Sequence, residues 1–377
     1  LVVIERCQEG GVKVVAGGPL FTGEPESFPE IDHFVLNEAE LSLPPFLADL
    51  EAGTPQRMYR SDQFPELEIT PIPRWDLVDF KQYATMDIQF SRGCPYDCEF
   101  CNITALLGRR PRTKSAPQIV AELDYLASLG WQGSIFFVDD NFIGNKRFLK
   151  EEILPALVAW RQGKTGLLFS TEASINLADD PELMDLMVAA GFHTVFVGIE
   201  TVEDSSLEEC NKFQNTGRDL VDSVKRVQRA GMQVQGGFIV GFDNDPPSIF
   251  KKQIDFIQKS GIVSAMVGLL QAPIGTRLYQ RLQNEGRIVT QSSGNNVDGS
   301  TNIIPKMEMG ALMGGYREIL NEIYSPKLYY ERVITFLKEY QPSTFKVRIT
   351  GEHILALWKS IYHLGLRGVE RVHYWKL

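Results

Sequence analysis

Only five of the 377 residues are cysteine, and only five are histidine. A chain this long with so few thiols is not a disulfide-stapled secreted scaffold. Long apolar runs are missing too: none approaches the ~18 residues that a membrane-spanning helix needs. Positive charge is in deficit, with a net charge of −10, which argues against a general nucleic-acid binder. Peripheral contact with a membrane stays open. No signal peptide opens the chain, and Leu1 falls inside what reads as an amphipathic segment. The expectation is therefore a fragment lacking its own N-terminus. What is present, 44% hydrophobic and 23% charged residues, is ordinary for a globular protein of two or three domains.

Three of the five cysteines crowd into Ser91-Arg-Gly-Cys-Pro-Tyr-Asp-Cys-Glu-Phe-Cys-Asn102. Cys94, Cys98 and Cys101 form C-x3-C-x2-C, one thiolate short of a closed four-ligand site. A structural zinc site closes with four Cys or His ligands. None of His33, His193, His353, His363 and His373 is near in sequence, and each reads as structural. Thiolate-only ligation suits an iron–sulfur cluster, whose unligated iron can take a substrate. Zinc and unligated thiols are the alternatives. Cys210 reads as a helix-face residue.

Between about residues 86 and 270, short apolar runs alternate with helical patterns that stop at glycine. Residues 86–90 feed directly into the cysteine loop. Ser115-Ala-Pro-Gln118 is a capping box, and Ile119, Val120, Leu123 and Leu126 form a helical stripe ended by Gly130. Further strands are expected at 134–138, 194–199, 234–240 and 265–270, with helices closed by Gly191, Gly231 and Gly261. Strands alternating with helices imply a parallel sheet, with chemistry at the C-terminal strand ends. The run Arg109-Arg-Pro-Arg-Thr-Lys114 reads most simply as a solvated loop, otherwise as a grip for an anionic group.

With Phe100 before its last cysteine, the motif is similar to the C-x3-C-x-aromatic-C signature of the radical S-adenosylmethionine (radical SAM) superfamily. The resemblance implies an α/β fold with a partial (β/α)6 barrel. It also implies that Cys94, Cys98 and Cys101 bind three irons of a [4Fe–4S] cluster and that SAM chelates the fourth. One electron would then cleave SAM to methionine and a 5′-deoxyadenosyl radical. Asp139-Asp-Asn-Phe142 takes the place of the family's glycine-glycine-glutamate motif, with Asn141, or else Asp139 or Asp140, facing the SAM ammonium. Thr171-Glu-Ala-Ser174 offers Ser174 to the ribose or carboxylate. Glu200 resembles the family's SAM-contacting acidic residue. Gly237-Phe-Ile-Val-Gly-Phe-Asp243 is similar to the adenine-side motif, through Ile239 and Gly241, although Asp243 replaces its proline.

The first ~55 residues resemble the C-terminal part of a cobalamin-binding Rossmann-like domain, with Gly17 and Gly18 as the glycine pair that approaches the nucleotide tail. The axial-histidine motif D-x-H-x-x-G would lie upstream of Leu1, so the cobalamin site is expected to be incomplete. The expected organisation is a truncated cobalamin-binding domain at 1–60, a linker at 61–85, the radical SAM barrel at 86–287, and a mainly helical C-terminal domain at 288–377. That last region, with helices at 309–324 and 326–340, resembles the uncharacterised C-terminal domain of cobalamin-dependent radical SAM proteins such as hopanoid methylases. Residues 291–302 read as a linker or mobile loop. The resemblance implies methylation of an unactivated carbon in a small molecule or lipid, using SAM, cobalamin and an electron donor such as ferredoxin or flavodoxin. A cytoplasmic or membrane-peripheral location goes with it. A radical SAM cyclase or rearrangement enzyme, and an iron–sulfur electron-transfer or sensor protein, are the other readings.

Overall fold

The computed structural model describes residues 2–164, 166–342 and 351–377. Three short strands come first: β1 (Val15–Gly17), β2 (His33–Leu36) and β3 (Met58–Arg60). They form a small parallel sheet in the order β1-β2-β3. Next come β4 (Thr85–Ile88) and a two-stranded ribbon of β5 (Ser91–Arg92) with β6 (Arg112–Thr113). The main strands then follow: β7 (Ser134–Phe137), β8 (Phe169–Glu172), β9 (Phe192–Glu200), β10 (Gln233–Val240) and β11 (Ala265–Leu269). With β4 they make one six-stranded parallel sheet, β4-β7-β8-β9-β10-β11, in strict sequence order. This is the expected run of β/α units.

Local chemistry explains the punctuation. Ser115 opens helix Ala116–Ser128 with the capping box read from the sequence. Asp180 caps helix Pro181–Ala190 by accepting from the Leu183 N–H at 3.1 Å, and Gly191 ends it at φ +102°. Only glycine adopts that left-handed conformation without strain. Alternate residues of each strand face the helices: Ile135, Phe137, Val195, Val197 and Ile199 are all buried in one apolar core.

Helices Met309–Ile323 and Pro326–Glu339 form where expected, and the first packs against the barrel. Its Leu312, Tyr316, Ile319 and Ile323 join the barrel core. The Tyr324 hydroxyl donates to the Ala265 carbonyl at 2.7 Å, satisfying part of the exposed edge of β11. Residues 291–302 are docked, in contrast to the mobile loop expected. The Gln271 amide donates to the Asn295 carbonyl at 3.1 Å, and Ala272 donates its N–H to Asn302 Oδ1 at 2.8 Å.

The basic run divides: Arg109 and Arg110 are exposed, as a solvated loop would have them, but Arg112 and Lys114 are buried, and Lys114 meets Glu122 at 2.5 Å. Arg112 donates to Glu38 at 2.5 Å, and Arg92 reaches Glu38 at 2.6 Å and Glu40 at 2.8 Å. These ion pairs fasten the N-terminal sheet to the ribbon beside the cysteines. No helix among the described residues is long and apolar enough to cross a membrane. Replacing Glu38 with Ala leaves the buried Arg112 guanidinium without its carboxylate, while Arg92 keeps Glu40, and should cost about 3–5 kcal/mol in chemical denaturation. A loss under ~1 kcal/mol would show that solvent reaches the pair.

Candidate active site

The cysteine loop starts at the C-terminal end of β4 and is closed on itself. Cys94 donates its N–H to the Gly108 carbonyl at 3.2 Å. A side chain on Gly93 (φ +94°) would meet the carbonyls of Arg110 and Gly108 within 3 Å, so only glycine fits the neck. Glu99 donates its N–H to the Cys210 carbonyl at 2.9 Å, tying the loop to the segment after β9. Cys210 itself is buried, with its thiol against the Leu207 carbonyl.

Cys94, Cys98 and Cys101 line one cavity of about 720 Å³ at the C-terminal strand ends. Among the described residues, no three His, Cys, Asp or Glu side chains are close enough to grip a single metal ion. Three thiols spread around a cavity, with no histidine or fourth cysteine in its wall, fit a multi-iron cluster with one open position. Burial pushes all three thiols up, Cys101 to about 12, so cluster loading must release their protons.

The other walls are acidic. Asp140 and Asn141 follow β7, Glu172 and Ser174 come from the end of β8, and Glu200 ends β9. Asn141 Oδ1 accepts from the Ser174 N–H at 3.2 Å. Ser174 donates its hydroxyl to Asn176 at 2.7 Å, and Asn176 donates to the Tyr96 hydroxyl at 2.8 Å. Glu200 sits at φ +64°, where β9 bulges against β10. Non-glycine residues in that region are strained, and such strain clusters at functional sites. Its carboxylate meets the Lys212 ammonium at 2.7 Å.

Among the described residues, Lys212 is the one cation in this wall. Burial works against its charge, but Glu200 and Cys98 hold it above the ordinary lysine range. The carboxyl of Glu172 is raised to about 7, first by burial and then by the charges of Asp140 and Glu200.

Not every residue named from the sequence reaches this cavity. Asp139 is turned away: its carboxylate accepts from the Phe90 N–H at 3.1 Å and from the N–H and hydroxyl of Ser91. Of the three alternatives, Asp140 and Asn141 remain at the wall. Ile239 lines an adjoining cavity of about 990 Å³, which shares Phe100, Cys101, Glu172 and Glu200 with the first. Gly241 lines neither. It packs against Leu312 and donates its N–H to Asp245 at 2.9 Å. Asp243, in the place of the motif's proline, pairs with Arg287 at 2.6 Å and Arg281 at 3.1 Å.

Gly17 is glycine for packing, since a side chain there would meet the Val35 carbonyl at 2.6 Å. Gly18 (φ +93°) has open space before it. It faces a cleft of about 580 Å³ shared with Asn37, Glu38, Arg92 and Leu106. Lys212, Gln214 and Phe196 are the wall residues that sequence reading missed, and Glu172 was quoted without a role. Their positions shortly after or within strands near named motifs were the available signal.

A model of the radical SAM superfamily matches residues 88–257, and one of a domain of unknown function, DUF4070, matches 276–377. A Synechocystis protein named as an uncharacterized methyltransferase is 40% identical, covering 99% of this chain and 70% of its own length. The hopanoid C-2 methylase of Rhodopseudomonas palustris is 34% identical, covering 99% and 72%. The chain belongs to the radical SAM superfamily. In fold it is similar to the cobalamin-dependent SAM radical enzyme OxsB, with a TM-score of 0.66 at 13% identity, covering 99% of this chain and 60% of that one. The radical SAM methyltransferase TsrM from Kitasatospora setae gives 0.63 at 18% identity, covering 99% and 81%.

A carboxyl whose folded pKa is raised keeps a proton that the unfolded chain has already lost. Glu172 should therefore make the cluster-free protein less stable as pH climbs from the ordinary 4.5 towards 7. Glu172→Gln should flatten that decline in denaturation midpoints measured across the window. Parallel curves for the two proteins would place the titration elsewhere.

Proposed function

We propose that this chain carries the catalytic core of a cobalamin-dependent radical SAM methyltransferase, working in the cytoplasm on an unactivated carbon of a small molecule or lipid. The observation that carries the reading is the cavity itself: three thiols on one side, and Asp140, Asn141, Glu172, Glu200 and Lys212 on the others. A [4Fe–4S] cluster held by Cys94, Cys98 and Cys101 supplies, when bound, the electron that cleaves SAM.

The chain's own residues do the placing. Asp140 and the amide of Asn141 offer oxygen to an ammonium, while Ser174 keeps that amide oriented through its N–H. Lys212 offers the cation that a carboxylate needs, with Glu200 fixing its position. Gly198 leaves room for that pair, because a side chain there would run into both Glu200 and Lys212. The cleft at Gly18 is the candidate cobalamin side, a reading supported by Arg92, which joins it to the cysteine loop, and by the cobalamin bound in the similarly folded OxsB and TsrM. The adjoining cavity has no lysine, arginine or histidine in its wall and two glutamates, flanked by Phe196, Ile239 and Met266. A neutral, largely apolar acceptor suits it better than an anionic one. A small electron-transfer protein such as ferredoxin or flavodoxin is the expected reductant.

Anaerobic reconstitution with iron and sulfide, followed by SAM and dithionite, should yield 5′-deoxyadenosine. Cys98→Ala should abolish both the brown absorbance and that product, and full iron content in the variant would refute the ligand assignment. With acceptor and cobalamin, S-adenosylhomocysteine should appear; 5′-deoxyadenosine without it would leave radical chemistry but remove methyl transfer. Lys212→Met should retain the cluster yet weaken SAM binding at least ~10-fold, with Lys212→Arg partly restoring it. Unchanged affinity in Lys212→Met would reduce the lysine to a structural partner of Glu200.

A further inference from the structure

The C-terminal residues 351–377 carry a surface that neither the barrel nor the proposed chemistry uses. Helix Gly351–Ser360, the π-type turn Ile361–Arg367 and helix Arg371–Tyr374 fold against one another. Trp375 donates its indole N–H to the Gly365 carbonyl at 2.8 Å, and the rings of Tyr374 and Tyr330 meet at 6.3 Å. The segment is thus held to helix Pro326–Glu339, yet most of its large apolar side chains face outward. Leu357, Trp358, Leu366, Val369 and Trp375 are between 58% and 89% exposed. So dense an apolar surface marks an interaction site and not ordinary solvent exposure.

Its charge is opposite to that of the chain. Lys359, Arg367, Arg371 and Lys376 are all exposed, and the sequence of this stretch has two more basic than acidic residues, within a protein of net charge −10. Exposed tryptophan and tyrosine interleaved with basic residues match the interface of a bilayer, where aromatic rings sit at headgroup depth and cations meet anionic lipid. A second copy fits less well. A two-fold interface would set the same four cations against themselves. Spanning is excluded for this element, because a ten-residue helix covers only about 15 Å of the ~30 Å hydrocarbon core.

We propose that residues 351–377 form a docking surface that lies in the interface of an anionic phospholipid bilayer. This stands independently of methyl transfer. The test is co-sedimentation of the full chain with phosphatidylcholine vesicles, and with vesicles containing about one third phosphatidylglycerol. Binding should favour the anionic vesicles and weaken with salt. Trp358→Ser with Val369→Ser should reduce it about tenfold, and Arg371→Glu with Lys359→Glu should remove the anionic preference. All these side chains lie at the surface away from the cysteine cavity, so an unchanged cluster absorbance certifies folding. Failure to pellet with either vesicle would overturn the proposal, as would equal binding by the apolar variant. So would a dimer in solution that Trp358→Ser with Val369→Ser dissolves, since the partner would then be a second copy.

Discussion

One buried carboxylate organises the approach to the cysteines. Asp139 stands at the end of β7 and takes the N–H groups of Phe90 and Ser91 together with the Ser91 hydroxyl. Those donors end β4 and start the ribbon that leads to Cys94. The next residue, Arg92, is gripped from the other side by Glu38 and Glu40, at the start of the helix that follows β2. The chain from Phe90 to Arg92 is therefore held on one side by the barrel and on the other by the N-terminal region. Burial raises Asp139 to about 7, a sign of how little solvent reaches this junction. A loop carrying three ligands needs such anchoring, because a displacement of an ångström defeats a multidentate site.

The cavity beyond it is built around a charge imbalance. Asp140, Glu172 and Glu200 share one space with a single lysine. Lys212 compensates Glu200 by direct contact, and the elevated Glu172 carries the remaining repulsion. The backbone is strained at the same place, with Glu200 at positive φ and the register of β9 and β10 slipping beside it. A strained residue standing where the polar groups converge is the signature of a site that the fold pays to maintain.

The sheet was legible because its signals are local. Apolar runs such as 134–138 and 234–240, each preceded by a helix ending in glycine, need no partner to be recognised. The cysteines were legible for the same reason. What escaped were choices settled by residues distant in the sequence. Nothing in Asp139-Asp-Asn141 says which carboxylate turns back to Ser91 and which faces the cavity. Nothing in Arg109-Arg-Pro-Arg112 predicts that its last arginine is buried against Glu38. At Gly17, expected to approach a nucleotide tail, the close neighbour is the Val35 carbonyl of the next strand. The loop at 291–302 looked free because its composition is that of a linker. The side chain of Gln271, some 20 residues earlier, holds it in place.

Charge bears on where such a protein works. A net charge of −10 would seem to repel it from any anionic surface. At physiological ionic strength, however, screening acts over about 8 Å, so the potential that a bilayer meets is set by the side chains facing it and not by the sum over the chain. Glu172 and Glu200 line the inner cavity. The exposed cations of residues 351–377 stand beside exposed tryptophans. An acidic body with one basic, aromatic face is oriented by an anionic membrane as well as attracted to it. The acidic remainder is turned away, and the apolar side chains are presented to the one surface that can bury them.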